Sequence, residues 1–412
     1  MPKTIVSITP VALDRDSRSL KIASSFAKWG YKSIVVEGQP SSMDFSRYGI
    51  EVISLGGKIV DSVEQALHVK QSRLNQHLKW IWHQFKKINF TFLLNYVSFY
   101  FFKRDFYSLY VNDVHKVLPE ADIYYLHSYE YFLAIKEKIK NTRAKIIYDA
   151  HDFYIKINPD KPFLGDSLVK AFQRHIEKEL ITKADMMFTV SDGLKKLYID
   201  EYKASPTVLR NTHCSKLDNS TDISLKKELG LDRNDYITVV IGNHKEGQAL
   251  KAIISTFLKC VNANHYLVFI GGGYQSIQET LSANEQRKIL FLSHVHPTMI
   301  VPLAREAHFG ILPYFPLTNN YKYALPNGFF QMIAAELPII FSKDLEEINT
   351  LNENYQFGVG TDFHSPEIFN RDFKYFLENF SEKNALNARN ILTWENEESI
   401  LKEKVSTLSS VK

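Results

Sequence analysis

A histidine set between two carboxylates, at the end of an apolar run, is the first arrangement in this chain that could do chemistry. The run is Ile146-Ile147-Tyr148-Asp149-Ala150-His151-Asp152. A neighbouring carboxylate can hold an imidazole in one tautomer and orient it. His127 closes an earlier apolar run, Leu126-His127-Ser128. Two imidazoles are therefore expected at the carboxyl ends of neighbouring strands, and His127, His151 and Asp152 are the candidate catalytic residues.

A second set suits an anion. Gly242-Asn243-His244-Lys245-Glu246-Gly247 follows an apolar run ending at Ile241. A diphosphate needs permissive backbone, open N–H groups and a cation; Gly242, Gly247 and Lys245 supply the first and last. Gly271-Gly272-Gly273 ends the next such run. Further on, Leu325-Pro326-Asn327-Gly328 opens an apolar helix that runs through Gln331. Pro326 fixes φ and Asn327 can cap, which leaves the following N–H groups pointing off the helix start. Lys322 lies close enough in sequence to reach the same space. The loop after the first strand, Asp14-Arg15-Asp16-Ser17-Arg18, lacks the glycines of a dinucleotide fingerprint, so a nicotinamide or flavin enzyme is disfavoured. Its acidic residues read as helix caps rather than metal ligands. Cys214 and Cys260 have no metal or redox spacing, and His294 and His296 have no third ligand nearby, so no metal is expected.

The elements that would position these residues alternate. Strands are expected at Thr4–Thr9, Ser33–Glu37, Val52–Ser54, Ile123–Leu126, Lys145–Asp149 and Met187–Val190, with amphipathic helices such as Ser17–Trp29 and Asp166–Thr182 between them. The pattern restarts at Tyr236–Ile241, Tyr266–Ile270, Ile289–Leu292, Phe309–Leu312 and Ile339–Phe341. Such alternation predicts parallel, doubly wound sheets. A chain of 412 residues exceeds one ordinary core. The expected division is residues 1–211, 212–390 and a terminal helix within 391–412. The net charge of +4 is too small to imply nucleic acid. No apolar run reaches the roughly 18–20 residues that span a bilayer. The start of the chain reads as a strand rather than a signal peptide, and a cytoplasmic protein is expected. Residues 70–110 depart from the layout. They read as two helices rich in aromatic and basic residues, Lys79-Trp80-Ile81-Trp82 and Phe99-Tyr100-Phe101-Phe102-Lys103-Arg104 among them. That composition suits either a membrane interface or a buried domain face.

Taken in order, these segments resemble GT-B glycosyltransferases, in particular glycosyltransferase family 4 of bacterial polysaccharide biosynthesis. The matching pieces are the Asp-Ser-Arg first loop, Asp149-Ala150-His151-Asp152, Val190-Ser191-Asp192, Arg210-Asn211, the glycine loops, Leu325-Pro326-Asn327 and the Trp394-Glu395 helix. The resemblance implies two Rossmann-like domains facing a cleft, with the last helix crossing back to the first domain. It implies a hexosyltransferase that moves a sugar from a UDP- or GDP-sugar co-substrate to a glycan or lipid-linked saccharide acceptor, without metal or other cofactor and with retained configuration. Lipopolysaccharide or capsule synthesis at the inner face of the cell membrane would suit it, with residues 70–110 as peripheral contact. Gly242, Lys245, Arg210, Asn211, Gly272, Lys322, Leu325, Pro326, Asn327 and Gln331 would bind the donor. Asp16 and Arg18 would lie on the acceptor side. Two positions depart from the family pattern. Gly328 replaces its lysine and Gln331 replaces the glutamate that accepts from the ribose hydroxyls. An alternative arises from them, a catalytically impaired nucleotide-sugar-binding or scaffold protein that partners an active transferase.

Overall fold

The computed structural model describes residues 2–54, 117–140, 142–157, 164–218, 223–293 and 295–410. The aromatic and basic stretch 70–110 and His294 lie outside the described residues. The chain divides into two compact units. The first comprises Met1–Thr189, Leu197–Thr207 and Thr407–Lys412; the second comprises Val190–Lys196 and Val208–Ser406.

The first unit is built on a seven-stranded sheet. Its strands are β1 (Thr4–Thr9), β2 (Lys32–Glu37), β3 (Ile50–Ser54), β4 (Ile123–Leu126), β5 (Lys145–Ala150), β6 (Met186–Thr189) and β7 (Thr207–Val208). Their order is β3-β2-β1-β4-β5-β6-β7. Pairing is parallel from β3 across to β6. The second unit repeats the plan with six strands: β8 (Tyr236–Ile241), β9 (His265–Ile270), β10 (Ile289–Leu292), β11 (Phe309–Leu312), β12 (Ile339–Ser342) and β13 (Gly358–Thr361). They are arranged β10-β9-β8-β11-β12-β13, all parallel. Each sheet therefore grows outward from a central strand in both directions. The reversal falls between β1 and β4 in one unit and between β8 and β11 in the other. Ligands of open parallel sheets bind outside the strands' carboxyl ends at such reversals.

The expected strands are all present, most with their ends within one or two residues. Their β-branched and aromatic residues suit a pleated surface covered on both faces. In β8, Ile237, Val239 and Ile241 pack into one core cluster with Phe329, Phe330 and Met332. Val240 packs into the other with Phe257, Phe369 and Phe373.

Six helices carry or brace the candidate residues: α1 (Ser17–Lys28), α2 (Leu164–Lys183), α3 (Asp192–Tyr202), α4 (Asn327–Ala334), α5 (Glu346–Tyr355) and α6 (Trp394–Ser410). The Asp16 side chain caps α1 by accepting from Ser19 N–H, and Gly30, just past the helix, takes a φ of 86°. Strand β13 was not among the expected elements. Its sequence, Gly-Val-Gly-Thr, carries little β propensity.

Candidate functional site

At the carboxyl ends of β1, β4 and β5 a buried ionic cluster forms. Arg18, in the first turn of α1, is 2% exposed and grips Asp149 with two hydrogen bonds, Nε to Oδ2 at 2.8 Å and Nη2 to Oδ1 at 2.7 Å. Tyr125 donates its hydroxyl to the same Oδ2 at 2.9 Å. His127 Nδ1 lies 3.2 Å from His151 Nε2, and these nitrogens are 3.7 and 3.4 Å from Asp149 Oδ2. His127 is buried, whereas a quarter of the His151 side chain is exposed. The sequence thus brings His127, His151 and Arg18 to one carboxylate, that of Asp149. Asp152 comes one residue after His151, with its carbonyl held by Tyr198 Oη at 2.8 Å.

Burial pushes the Asp149 carboxyl up. Arg18 and His151, with the hydrogen bonds they make, reverse this and hold it well below the ordinary carboxylate range. Burial, reinforced by the charge His151 can carry, pushes His127 down to about 4. His127 is therefore a neutral imidazole at neutral pH. The donors of His127, Asp149 and His151 lie within 4.8 Å of one another, a spacing that metal ligands can share. Here, however, Asp149 already has a cation and three donors: both of its oxygens accept from Arg18, and Oδ2 also accepts from Tyr125. The Arg18 guanidinium thus supplies positive charge directly at the Asp149 carboxylate.

The loop after β1 is fixed by carboxylates as well. Asp16 accepts from Thr9 Oγ1 at 2.7 Å and from Ser19. Glu37, 2% exposed at the end of β2, accepts from Leu13 N at 2.8 Å and Ser41 N at 2.9 Å. Asp16 and Arg18 thus lie inside the structure of this loop rather than on an open surface. Tyr125 and Glu37 were not singled out from the sequence. Tyr125 could have been, because it sits two residues before His127 and so shares its strand face.

In the second unit the loops after β8 and β9 are zipped together by backbone. Gly242 N donates to Ile270 O, and His244 N to Gly272 O, each at 2.9 Å. Asn243 Oδ1 accepts from Gly272 N at 2.9 Å. A Cβ on Gly271, whose φ is 146°, would stand 2.2 Å from Gly242 O. Lys245 is exposed and makes no ion pair among the described residues.

The first turn of α4 rests on the end of β8. A Cβ on Gly328 would stand 2.4 Å from the Ile241 carbonyl oxygen, so no side chain fits there. This accounts for the missing lysine. Pro326, not Asn327, is the residue before the helix, and it offers no side-chain cap. Asn327 is instead the first helical residue, and its Oδ1 accepts from Asn211 Nδ2 at 2.6 Å. The Asn327 and Gly328 N–H groups find no acceptor among the described residues. Such groups at a helix start favour an anion. Leu325 is buried in the core beneath this turn. Gln331, one turn further on, is half-buried, and its side-chain amide has no partner among the described residues. Lys322 is paired with Glu346 Oε1 at 2.5 Å. Arg210 is paired with Asp192 Oδ2 at 2.8 Å, and its N–H donates to Glu397 of α6. Glu347 accepts from Asp192 N and Gly193 N. The structure thus gathers Gly242, Gly272, Asn211, Asn327 and the start of α4 around the β8 and β9 loops, while ion pairs tie down Lys322 and Arg210.

No protein-family model matches this sequence, and no curated protein matches it. Solved structures do. The chain is similar to sucrose-phosphate synthase from Thermosynechococcus elongatus, at 11% identity over 100% of both chains with a TM-score of 0.69. It is similar to a glycosyltransferase from Rickettsia africae, at 13% identity over 100% of both chains and a TM-score of 0.62. It is also similar to Anabaena HepE in complex with UDP and glucose, at 11% identity over 98% of this chain and 100% of that one, with a TM-score of 0.63. The likeness is one of fold: two parallel-sheet α/β units, as in GT-B proteins. Among the described residues, no helix is long and apolar enough to cross a membrane.

Replacing Arg18 with Met would leave Asp149 buried without its cation. We predict a loss of about 3–5 kcal/mol in urea unfolding at pH 7. Because the native Asp149 pKa is depressed, the stability it contributes is present above the unfolded carboxyl pKa and lost as pH falls through the native value. The gap between wild type and Arg18→Met should therefore shrink below about pH 4. An undiminished gap at pH 3 would contradict the pairing.

Proposed function

We propose that this protein is a glycosyltransferase that moves a sugar from a nucleoside-diphosphate donor, UDP- or GDP-linked, to a glycan or lipid-linked saccharide acceptor. The observation that carries the reading is the uncapped first turn of α4 seated on the end of β8. Its Asn327 and Gly328 N–H groups form an anion-binding helix start beside the glycine loops. Two of the three fold relatives carry transferase or synthase names, and the third was solved with UDP and glucose.

In this reading the second unit binds the donor. Backbone amides of α4 and the Lys245 ammonium take the diphosphate, and they stabilise it as negative charge develops on the leaving group. Gln331 accepts from a ribose hydroxyl through its amide oxygen, without the charge a glutamate would add. The first unit takes the acceptor, with His151, the more open of the two imidazoles, as its candidate catalytic group. Arg18 supplies the positive charge at Asp149, so the reaction needs no divalent cation there. Retained configuration, cell-surface polysaccharide as product and work at the inner membrane face belong to the same proposal. A second reading, binding without turnover, is favoured by Gln331 alone. Gly328 no longer supports it, because the contact with Ile241 gives that glycine a packing reason.

Two outcomes test this. UDP or GDP at 100 times its Kd should stabilise the protein by about 2.7 kcal/mol, seen as a rise in Tm. Lys245→Ala should raise that Kd about tenfold while leaving the unliganded Tm unchanged. No shift with any nucleoside diphosphate would contradict donor binding. Gln331→Glu should increase turnover of a nucleotide-sugar panel. If wild type and Gln331→Glu both bind nucleotide yet neither transfers nor hydrolyses any donor, the non-catalytic reading holds instead.

A further inference from the structure

At the buried end of α2, four short polar contacts need one more proton than the local hydroxyls supply. Glu177 is 0% exposed. Its Oε1 lies 2.6 Å from Tyr148 Oη and 2.7 Å from Tyr198 Oη, and its Oε2 lies 2.8 Å from Tyr202 Oη. Tyr198 Oη is also 2.8 Å from the Asp152 carbonyl oxygen. A tyrosine hydroxyl carries one proton, and neither an ionised carboxylate nor a carbonyl can donate. Tyr148 and Tyr202 each give theirs to Glu177. Tyr198 then has a single proton for two acceptors, both at the distance of a full O–H···O bond. A proton on Oε1 completes the set. It is donated to Tyr198 Oη, Tyr198 donates to Asp152, and Tyr148 donates to a remaining lone pair of Oε1.

The surroundings agree. The groups that face Glu177 are Tyr148 from β5, Tyr198, Tyr202 and Glu201 from α3, and Tyr154 from the turn after β5 by way of Tyr148 and Tyr198. No ion pair to Glu177 occurs among the described residues, and Arg174 of its own helix pairs with Glu201. Burial pushes the Glu177 carboxyl up, and Glu201 adds to it, against the three tyrosine hydrogen bonds.

We propose that Glu177 is a neutral carboxylic acid at neutral pH and a positioning residue. Its proton completes a chain from Oε1–H through Tyr198 Oη–H to the Asp152 carbonyl, which fixes the turn that carries His151. Nothing in the chain of contacts involves a nucleotide or a sugar, so the inference stands apart from the proposed function.

The test uses the full-length protein. Infrared spectra at pH 7 should show the carbonyl stretch of a protonated carboxylic acid in wild type and lose it in Glu177→Gln. Tyr198→Phe removes the acceptor of that proton, so the band should remain and move to higher frequency. The Asp152 carbonyl carbon resonance should shift in the same variant. Stability gives an independent reading. With the native pKa raised, the contribution of Glu177 is complete below the unfolded carboxyl pKa of about 4.3 and declines as pH rises toward the native value. Across that window the wild-type unfolding constant should rise about tenfold per pH unit relative to Glu177→Gln. A wild-type spectrum without an acid band at pH 7 would overturn the proposal, as would a band that survives in Glu177→Gln or a stability ratio flat with pH. Should Glu177→Gln fail to fold, the wild-type and Tyr198→Phe spectra still decide it, since an ionised Glu177 gives no acid band in either.

Discussion

The contact between the first turn of α4 and the end of β8 is the constraint on which the second unit depends. Gly328 sits where any side chain would meet the Ile241 carbonyl, so the helix start is pressed onto the strand end. Asn327, one residue earlier, turns its side chain to Asn211 and does not cap its own helix. The amides at the helix start consequently stay open, beside the backbone zipper of the β8 and β9 loops. One close approach thus fixes both the fold at the sheet's point of reversal and the electrostatic character of the site there. In a parallel sheet that point is where a ligand is expected.

The first unit solves a related problem with charge. A carboxylate at the end of β5 would be costly to bury alone. Arg18 reaches it from α1, which is positioned by the Asp16 cap and by a β1 loop held by Glu37. The pair gathers two imidazoles around it, one of them sealed and neutral and the other partly open. Beyond the same strand end, Tyr198, one of the three tyrosines on Glu177, holds the Asp152 carbonyl. The turn bearing His151 is therefore braced from both sides, by an ion pair on one and by a hydroxyl network on the other.

Much of the fold was legible because apolar runs of four to six residues, bounded by turn residues, repeat through both halves of the chain. β13 was not, since two of its four residues are glycines and its place is set by packing: a Cβ on Gly358 would stand 1.7 Å from Ile339 O. The candidate residues were legible where they end strands, as with His127, His151 and Gly242. Pairings distant in sequence were not. Arg18 and Asp149 are 131 residues apart, and nothing local marks the arginine as buried. Lys322 read as a cation able to reach the start of α4, but its partner Glu346 comes from another helix. Gly328 read as a loss of charge, and only the approach of β8 reveals it as a steric requirement. The Glu177 network was invisible for the same reason, because its tyrosines come from a strand and a helix on either side of it in the chain.

The central claim is that the start of α4 binds the diphosphate of a donor nucleotide. A crystal structure of the protein grown with UDP tests it most directly. Diphosphate oxygens should then lie within hydrogen-bond distance of the Asn327 and Gly328 amides, with Lys245 turned toward them. A nucleotide bound elsewhere in the molecule, with those amides left to solvent, would contradict it.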